Sequence, residues 1–269
     1  MALNAADEAS DDKCPFCYKA PHEFPAKKKS PNTHVVSKPS QLGCADLPVA
    51  GPWNHTTAKH HLISAMQCFA KVRRLVRMAS MVAYDINDPP NGIALPTVAN
   101  NITYTVGGKG PAKYGTFSEP EKTTIAFAVM DQALAQWHVG HHAFTVEIPV
   151  DWAEEANESD LGHEVSYDQS VIKELLDILV ECTRSPLCME EDENSTLKEE
   201  MDGLSERIKK KLDKFGANAP RQSAPFYVSR MAHDYADKSL KRGAQSLEGG
   251  DDGDPAPSQQ PSKKRRLVQ

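Results

Sequence analysis

Imidazole is concentrated in two short stretches of this sequence, Ala58-Lys59-His60-His61-Leu62-Ile63-Ser64 and Trp137-His138-Val139-Gly140-His141-His142-Ala143-Phe144. Imidazole is a common side-chain ligand for zinc, copper, iron and nickel. His138 and His142 stand four residues apart, a spacing that on a helix brings both rings to one face, about one turn apart. Three such rings around one cation, with a fourth left free, make a site of three ligands and an open position for water. The free imidazole, with an ordinary pKa near neutrality, can then serve as a general base. That equipment is what a metal-dependent hydrolase needs. His22, His34, His55, His163 and His233 stand outside both stretches and read as ordinary core or surface residues.

The charge distribution is consistent with a polyanionic substrate. The chain of 269 residues has a formal net charge of −6, yet between Asn54 and Thr116 seven basic residues face only Asp85 and Asp88. Lys59, Arg73 and Arg74 fall in this basic segment beside the first histidine pair and are candidate phosphate contacts. Solvated charges on an ordinary helix would give the same count. A hydrophobic content of 39% with 25% charged residues is that of a globular chain able to bury a sizeable core. The sequence holds no apolar run of membrane-spanning length, and its acidic beginning is not that of a secretory signal peptide.

The elements that must position these groups follow from periodicity and turn chemistry. Residues 1–12 read as a disordered leader. Cys14-Pro15-Phe16-Cys17 leads into proline- and lysine-rich text that suits a zinc knuckle better than a thioredoxin-like dithiol. Cys182 and Cys188 flank a turn-like spacer after a long apolar helix, so Cys14, Cys17, Cys182 and Cys188 make one possible structural zinc clip. Sites using Cys44, His22 or His34, and plain thiols in a reducing compartment, are the competing readings. Apolar residues from Leu62 to Val82 follow a period near 3.6 and predict a helix. Asp88-Pro89-Pro90-Asn91-Gly92 is turn chemistry, followed by the short apolar run Ile93-Ala94-Leu95. A weak strand is expected at 102–106. Ser118 and Glu121 form a capping box opening a helix that is expected to run toward His138. Further helices are expected over 171–180, 197–215 with a stop at Gly216, and 226–240. From Ala244 onward the composition is that of a disordered tail, with the basic run Lys263-Lys264-Arg265-Arg266 that is similar to a nuclear localisation signal and reads equally as a bare basic tail touching DNA phosphates.

Taken in order, Lys59-His60-His61-Leu62-Ile63-Ser64, the run from Asp85 to Pro96, Gln136-Trp137-His138-Val139-Gly140-His141-His142 and the run from Tyr167 to Leu176 resemble the AHH/WHH branch of HNH (ββα-metal) nucleases. The resemblance spans about Cys14 to Cys188. It implies an α+β, mostly helical fold, with a ββα-metal (HNH-like) core, added helices and a structural zinc site. Residues 13–188 would form the nuclease domain, 189–243 a helical extension and 244–269 the tail. By this resemblance His60, His138 and His142 are metal ligands, His61 is the general base and Asn91 belongs to the catalytic set as its scaffold asparagine. His141 is an alternative ligand in place of His142. Lys59 interrupts the family's Ala-His-His, and Ser64 stands where many members have proline. The implied activity is that of a DNA endonuclease using zinc, magnesium, manganese or nickel. As a bacterial toxin domain it would be delivered by a type VI or other contact-dependent secretion system, act in the cytoplasm of a target cell and be countered by an immunity protein. A zinc-containing nucleic-acid-binding or regulatory protein without catalysis is the competing class.

Overall fold

The computed structural model describes residues 14–18, 42–82, 84–108, 110–139, 142–184 and 191–238, with 184 and 191–195 in backbone only. His22, His34, His141, Cys188, the 1–12 leader and the tail from 239 lie outside the described residues. The fold is α+β, about 49% helix with small antiparallel sheets.

Strand β1 (Thr56–His61) pairs antiparallel with β2 (Gly92–Thr97), and the register sets His60 opposite Ile93 and His61 opposite Gly92. The excursion between them carries helix α1 (Arg73–Met81). Two more two-stranded sheets follow, β3 (Thr103–Tyr104) with β4 (Ala112–Lys113) and β5 (Val146–Glu147) with β6 (Glu164–Val165). The larger helices are α2 (Glu119–Ala133), α3 (Tyr167–Arg184), α4 (Glu191–Gly216) and α5 (230–238).

The helix expected from Leu62 begins eleven residues later, at Arg73. Leu62 N donates to Asn91 O (3.0 Å), Ile63 N donates to Asn91 Oδ1 (2.8 Å), and Leu62 O accepts from Tyr167 Oη (2.8 Å). Backbone groups engaged by distant partners are not free to start a helical ladder, so Leu62, Ile63, Ala65, Cys68, Phe69 and Val72 are buried from turns and a short 3₁₀ segment, Phe69–Lys71. Helix α2 opens on the expected capping box, with Ser118 N donating to Glu121 Oε2 (2.9 Å). It ends at Ala133, where Leu134 adopts a left-handed conformation (φ 52°). The expected continuation of this helix to His138 is therefore absent. Gly216 ends α4 as expected, and a Cβ there would collide with the carbonyl oxygen of Leu134, so glycine permits the contact between the two helix ends.

Two apolar clusters hold the molecule together. One joins Leu62, Ile63 and Leu95 of the hairpin region to Leu75 and Met78 of α1, Val171 and Leu175 of α3, and Leu197, Met201, Leu204 and Ile208 of α4. The other joins Ile125, Val129 and Met130 of α2 to Trp137, Trp152, Tyr227 and Ala232. Each fully buried aliphatic side chain contributes about 1.5–3 kcal/mol relative to exposure. Side chains within 197–236, part of the segment expected as a helical extension, belong to both clusters.

Candidate metal centre

His60 and His61 are the last two residues of β1, so strand alternation sends their side chains to opposite faces. His60 meets His138 and His142 in a three-ring cluster. The ring centroids lie 5.1 Å (His60–His138), 4.7 Å (His60–His142) and 5.1 Å (His138–His142) apart. One ring nitrogen from each lies within 4.8 Å of the others, with His60 buried and the other two half-buried. Two nitrogens bound to one zinc at ~2.0–2.1 Å stand about 3.4 Å apart in tetrahedral geometry. The three rings are placed as a group that could hold a metal ion. The convergence expected for His60, His138 and His142 is borne out.

The electrostatics favour neutral, lone-pair-bearing rings. Burial, and then the neighbouring rings of His142 and His138, hold His60 well below its ordinary pKa. Burial, reinforced by His142, lowers His138 to about 4. At neutral pH both are therefore unprotonated, the form a metal requires. His142 Nδ1 donates to Val228 O (2.9 Å), which orients the ring. His60 Nε2 lies 3.3 Å from Tyr167 Oη, whose own proton goes to Leu62 O.

The second histidine pair is not helical. His138 N donates to Pro96 O (2.9 Å) and His138 O accepts from Thr97 Oγ1 (2.5 Å), so the segment leans on the end of β2. On its other side buried Gln136 holds two groups of the chain after α4. Its Oε1 accepts from Val228 N (2.9 Å) and its Nε2 donates to Phe226 O (3.1 Å). Ser229 Oγ donates to Trp137 O (2.6 Å). His138 is in no helix and His142 lies in a turn, so the one-face-of-a-helix geometry expected for them is not what brings the rings together.

His61 stays off the cluster. Its Nε2 lies 3.2 Å from Asn87 Oδ1. Burial lowers its pKa, while the Asn87 hydrogen bond and the Asp85 charge act against that shift. Asn91, assigned to the catalytic set, is 1% exposed. Its amide bonds Ile63 N and O, Ile86 O (2.8 Å) and Ser205 Oγ (3.1 Å), so its role is to position the chain leaving β1. No atom of that amide is left for chemistry.

The substrate contacts expected of Arg74 are replaced by structural ones. Arg74 Nε donates to Pro15 O (2.6 Å), Nη2 donates to Phe16 O (3.1 Å) and Nη1 donates to Tyr18 Oη, while its guanidinium lies 3.6 Å from the Tyr18 ring centre. It clamps the Cys14–Tyr18 turn onto α1 and is not available to a phosphate. Lys59 stands 4.0 Å from Asp46 at the surface of β1. Arg73 is exposed at the start of α1. Cys14 is buried in the first apolar cluster, and Cys17 and Cys182 pack against it. The fourth thiol of the expected clip, Cys188, lies outside the described residues, and among those described the only metal-competent group is the histidine cluster.

Sequence reasoning did not find Asn87, Gln136, Tyr167 or the 226–229 segment as supports of the site. The run containing Tyr167 was part of the resemblance, but nothing in its spacing tied the hydroxyl to His60. No family model matches the chain, and no curated protein or solved structure matches it.

Proposed function

We propose that the protein is a metal-dependent endonuclease of the ββα-metal kind, hydrolysing phosphodiester bonds of DNA. The observation that supports it most is the division of labour among four imidazoles: His60, His138 and His142 gather into one group, and His61, adjacent in sequence to His60, is held apart on Asn87. In such a core the antiparallel pair β1–β2 would be the two strands. The paired histidines here ride on non-helical backbone, which departs from the family's helix.

When bound, the cation would supply Lewis-acid stabilisation of charge on the phosphate and the leaving 3′ oxygen. His60, His138 and His142 would hold it, and none of them would exchange protons. His61 would take a proton from water as the oxygen attacks phosphorus in line and the bond to the 3′ oxygen breaks. The leaving oxygen would be protonated from solvent, and His61 would return its proton to bulk water. Lys59 and Arg73 remain the candidate phosphate contacts.

Nicking of supercoiled plasmid with each divalent ion, with and without EDTA, tests this directly. The expected result is metal-dependent nicking by the wild type. His61→Ala should keep its metal and lose about 10²–10⁴-fold in rate. Full nicking by a clean, metal-loaded His61→Ala protein would overturn the assignment, and metal binding without any nicking would favour a non-catalytic nucleic-acid-binding protein. The resemblance extends the proposal to an antibacterial effector, for which toxicity on expression in bacteria should follow the wild type and not His61→Ala.

A further inference from the structure

The turn between α1 and β2 holds a chain of hydrogen bonds that ends on His61. Asp85 Oδ1 accepts from both Asn87 N (2.9 Å) and Asn87 Nδ2 (2.9 Å). A carboxylate oxygen only accepts, so the amino end of the Asn87 amide must face Asp85. The carbonyl end, Oδ1, therefore faces His61, and Nε2 of that ring, 3.2 Å away, must be the donor. The orientation of the amide is fixed by its partners rather than assigned freely.

The turn is anchored on both sides of Asn87, which is itself 4% exposed. Tyr84 and Ile86 are fully buried in the first apolar cluster. Asp88 N donates to Asp85 O (3.0 Å), Asn91 N donates to Asp88 O (3.0 Å), and Asn91 Nδ2 donates to Ile86 O (2.8 Å). Asn87 thus reaches His61 from a frame fixed by the same residue that holds the chain just after β1.

We infer that Asn87, oriented by Asp85, is a positioning residue for His61: it holds the imidazole as the Nε2–H tautomer and leaves Nδ1 as the ring's only basic atom. The inference rests on His61 being the base. In the proposed reaction a water proton passes to Nδ1, the water oxygen forms the bond to phosphorus, and the bond to the 3′ oxygen breaks. Nε2 keeps its hydrogen throughout, and its bond to Asn87 steadies the imidazolium that forms. A histidine in the opposite tautomer would present N–H to the water and could not take its proton.

The test uses the full chain with ¹⁵N-labelled histidine. Two-bond ¹⁵N–¹H correlations of the imidazole, assigned to His61 by its loss in His61→Ala, should show the Nε2–H tautomer in the wild type. In Asn87→Leu, which has nearly the same shape and no acceptor, the pattern should shift to a tautomer mixture. In Asn87→Asp, which keeps an oxygen at that place, the Nε2–H form should persist. Plasmid nicking should fall about 10- to 100-fold in kcat for Asn87→Leu, with KM and bound metal unchanged and with recovery to within a few-fold in Asn87→Asp. Should Asn87→Leu fail to fold, Asp85→Ala removes the group that orients the amide and should give the same tautomer mixing. An Nδ1–H tautomer in the wild type, or an unchanged pattern in both Asn87→Leu and Asp85→Ala, overturns the inference. The tautomer readout decides it even if the wild type nicks no DNA, which would instead overturn the nuclease reading.

Discussion

The His60–His61 pair and the His138–His142 pair reach the same site by different structural means. The first is placed by a ladder: six residues of β1 pair with six of β2, and alternation alone sends adjacent rings to different faces. Among its described residues the second has no ladder and no helix. Its place is set by single hydrogen bonds from Pro96 and Thr97 on one side and by Gln136, Val228 and Ser229 on the other. A ladder distributes its strain over many bonds, whereas a tied loop depends on each of its few anchors. The second pair should therefore be the more sensitive to changes far from it in sequence.

Three substitutions probe that contrast. The largest loss of stability is expected at Asn91, the point where the ladder side meets the core. Asn91→Leu would leave Ile63 N, Ile63 O and Ile86 O buried without partners, and the unfolding free energy in urea should fall by ~3–5 kcal/mol. Gln136→Leu should lower stability less, by ~2–3 kcal/mol, because two backbone groups lose their partner. It should also weaken metal binding by about 10- to 100-fold, since it frees the segment whose Val228 carbonyl orients His142. Equal metal affinity in Gln136→Leu and wild type would remove the distinction between the two pairs. The smallest effect on the site is expected from Arg74→Ala. Stability should drop by ~1–3 kcal/mol through loss of the Cys14–Tyr18 clamp, and nicking per folded molecule should not change. A raised KM for DNA in that variant would return Arg74 to the substrate contacts.

The same contrast explains what the sequence made legible. The turn at Asp88–Gly92, the capping box at Ser118 and Glu121, the stripe from Leu197 to Phe215 and the stop at Gly216 all depend on neighbours a few residues apart. Local chemistry decided them, and they were readable. The helix expected from Leu62 was not formed, because Asn91 and Tyr167 take the backbone groups it would have used. The helix expected to carry His138 was not formed, because its backbone bonds to Pro96 and Thr97 and Gln136 reaches across to residue 228. No window of periodicity contains partners ninety positions apart. The histidine cluster itself was legible because ligand chemistry restricts residue type strongly enough to survive a wrong secondary-structure assignment. Arg74 shows the converse: a basic residue in a basic segment looked like a phosphate contact, and the carbonyls of Pro15 and Phe16 that it serves gave no signal in the sequence.

The central claim is that His60, His138 and His142 hold one cation while His61 stays off it. Titration of the full chain with Co(II), followed by its visible absorption, measures this most directly, and the absence of a sulfur-to-metal charge-transfer band separates the site from any thiolate site. The account predicts one nitrogen-ligated ion per chain in the wild type and in His61→Ala, and loss of that ion in His60→Ala, His138→Ala and His142→Ala. Retention of the ion by a folded variant of any of those three, or its loss in folded His61→Ala, would contradict it.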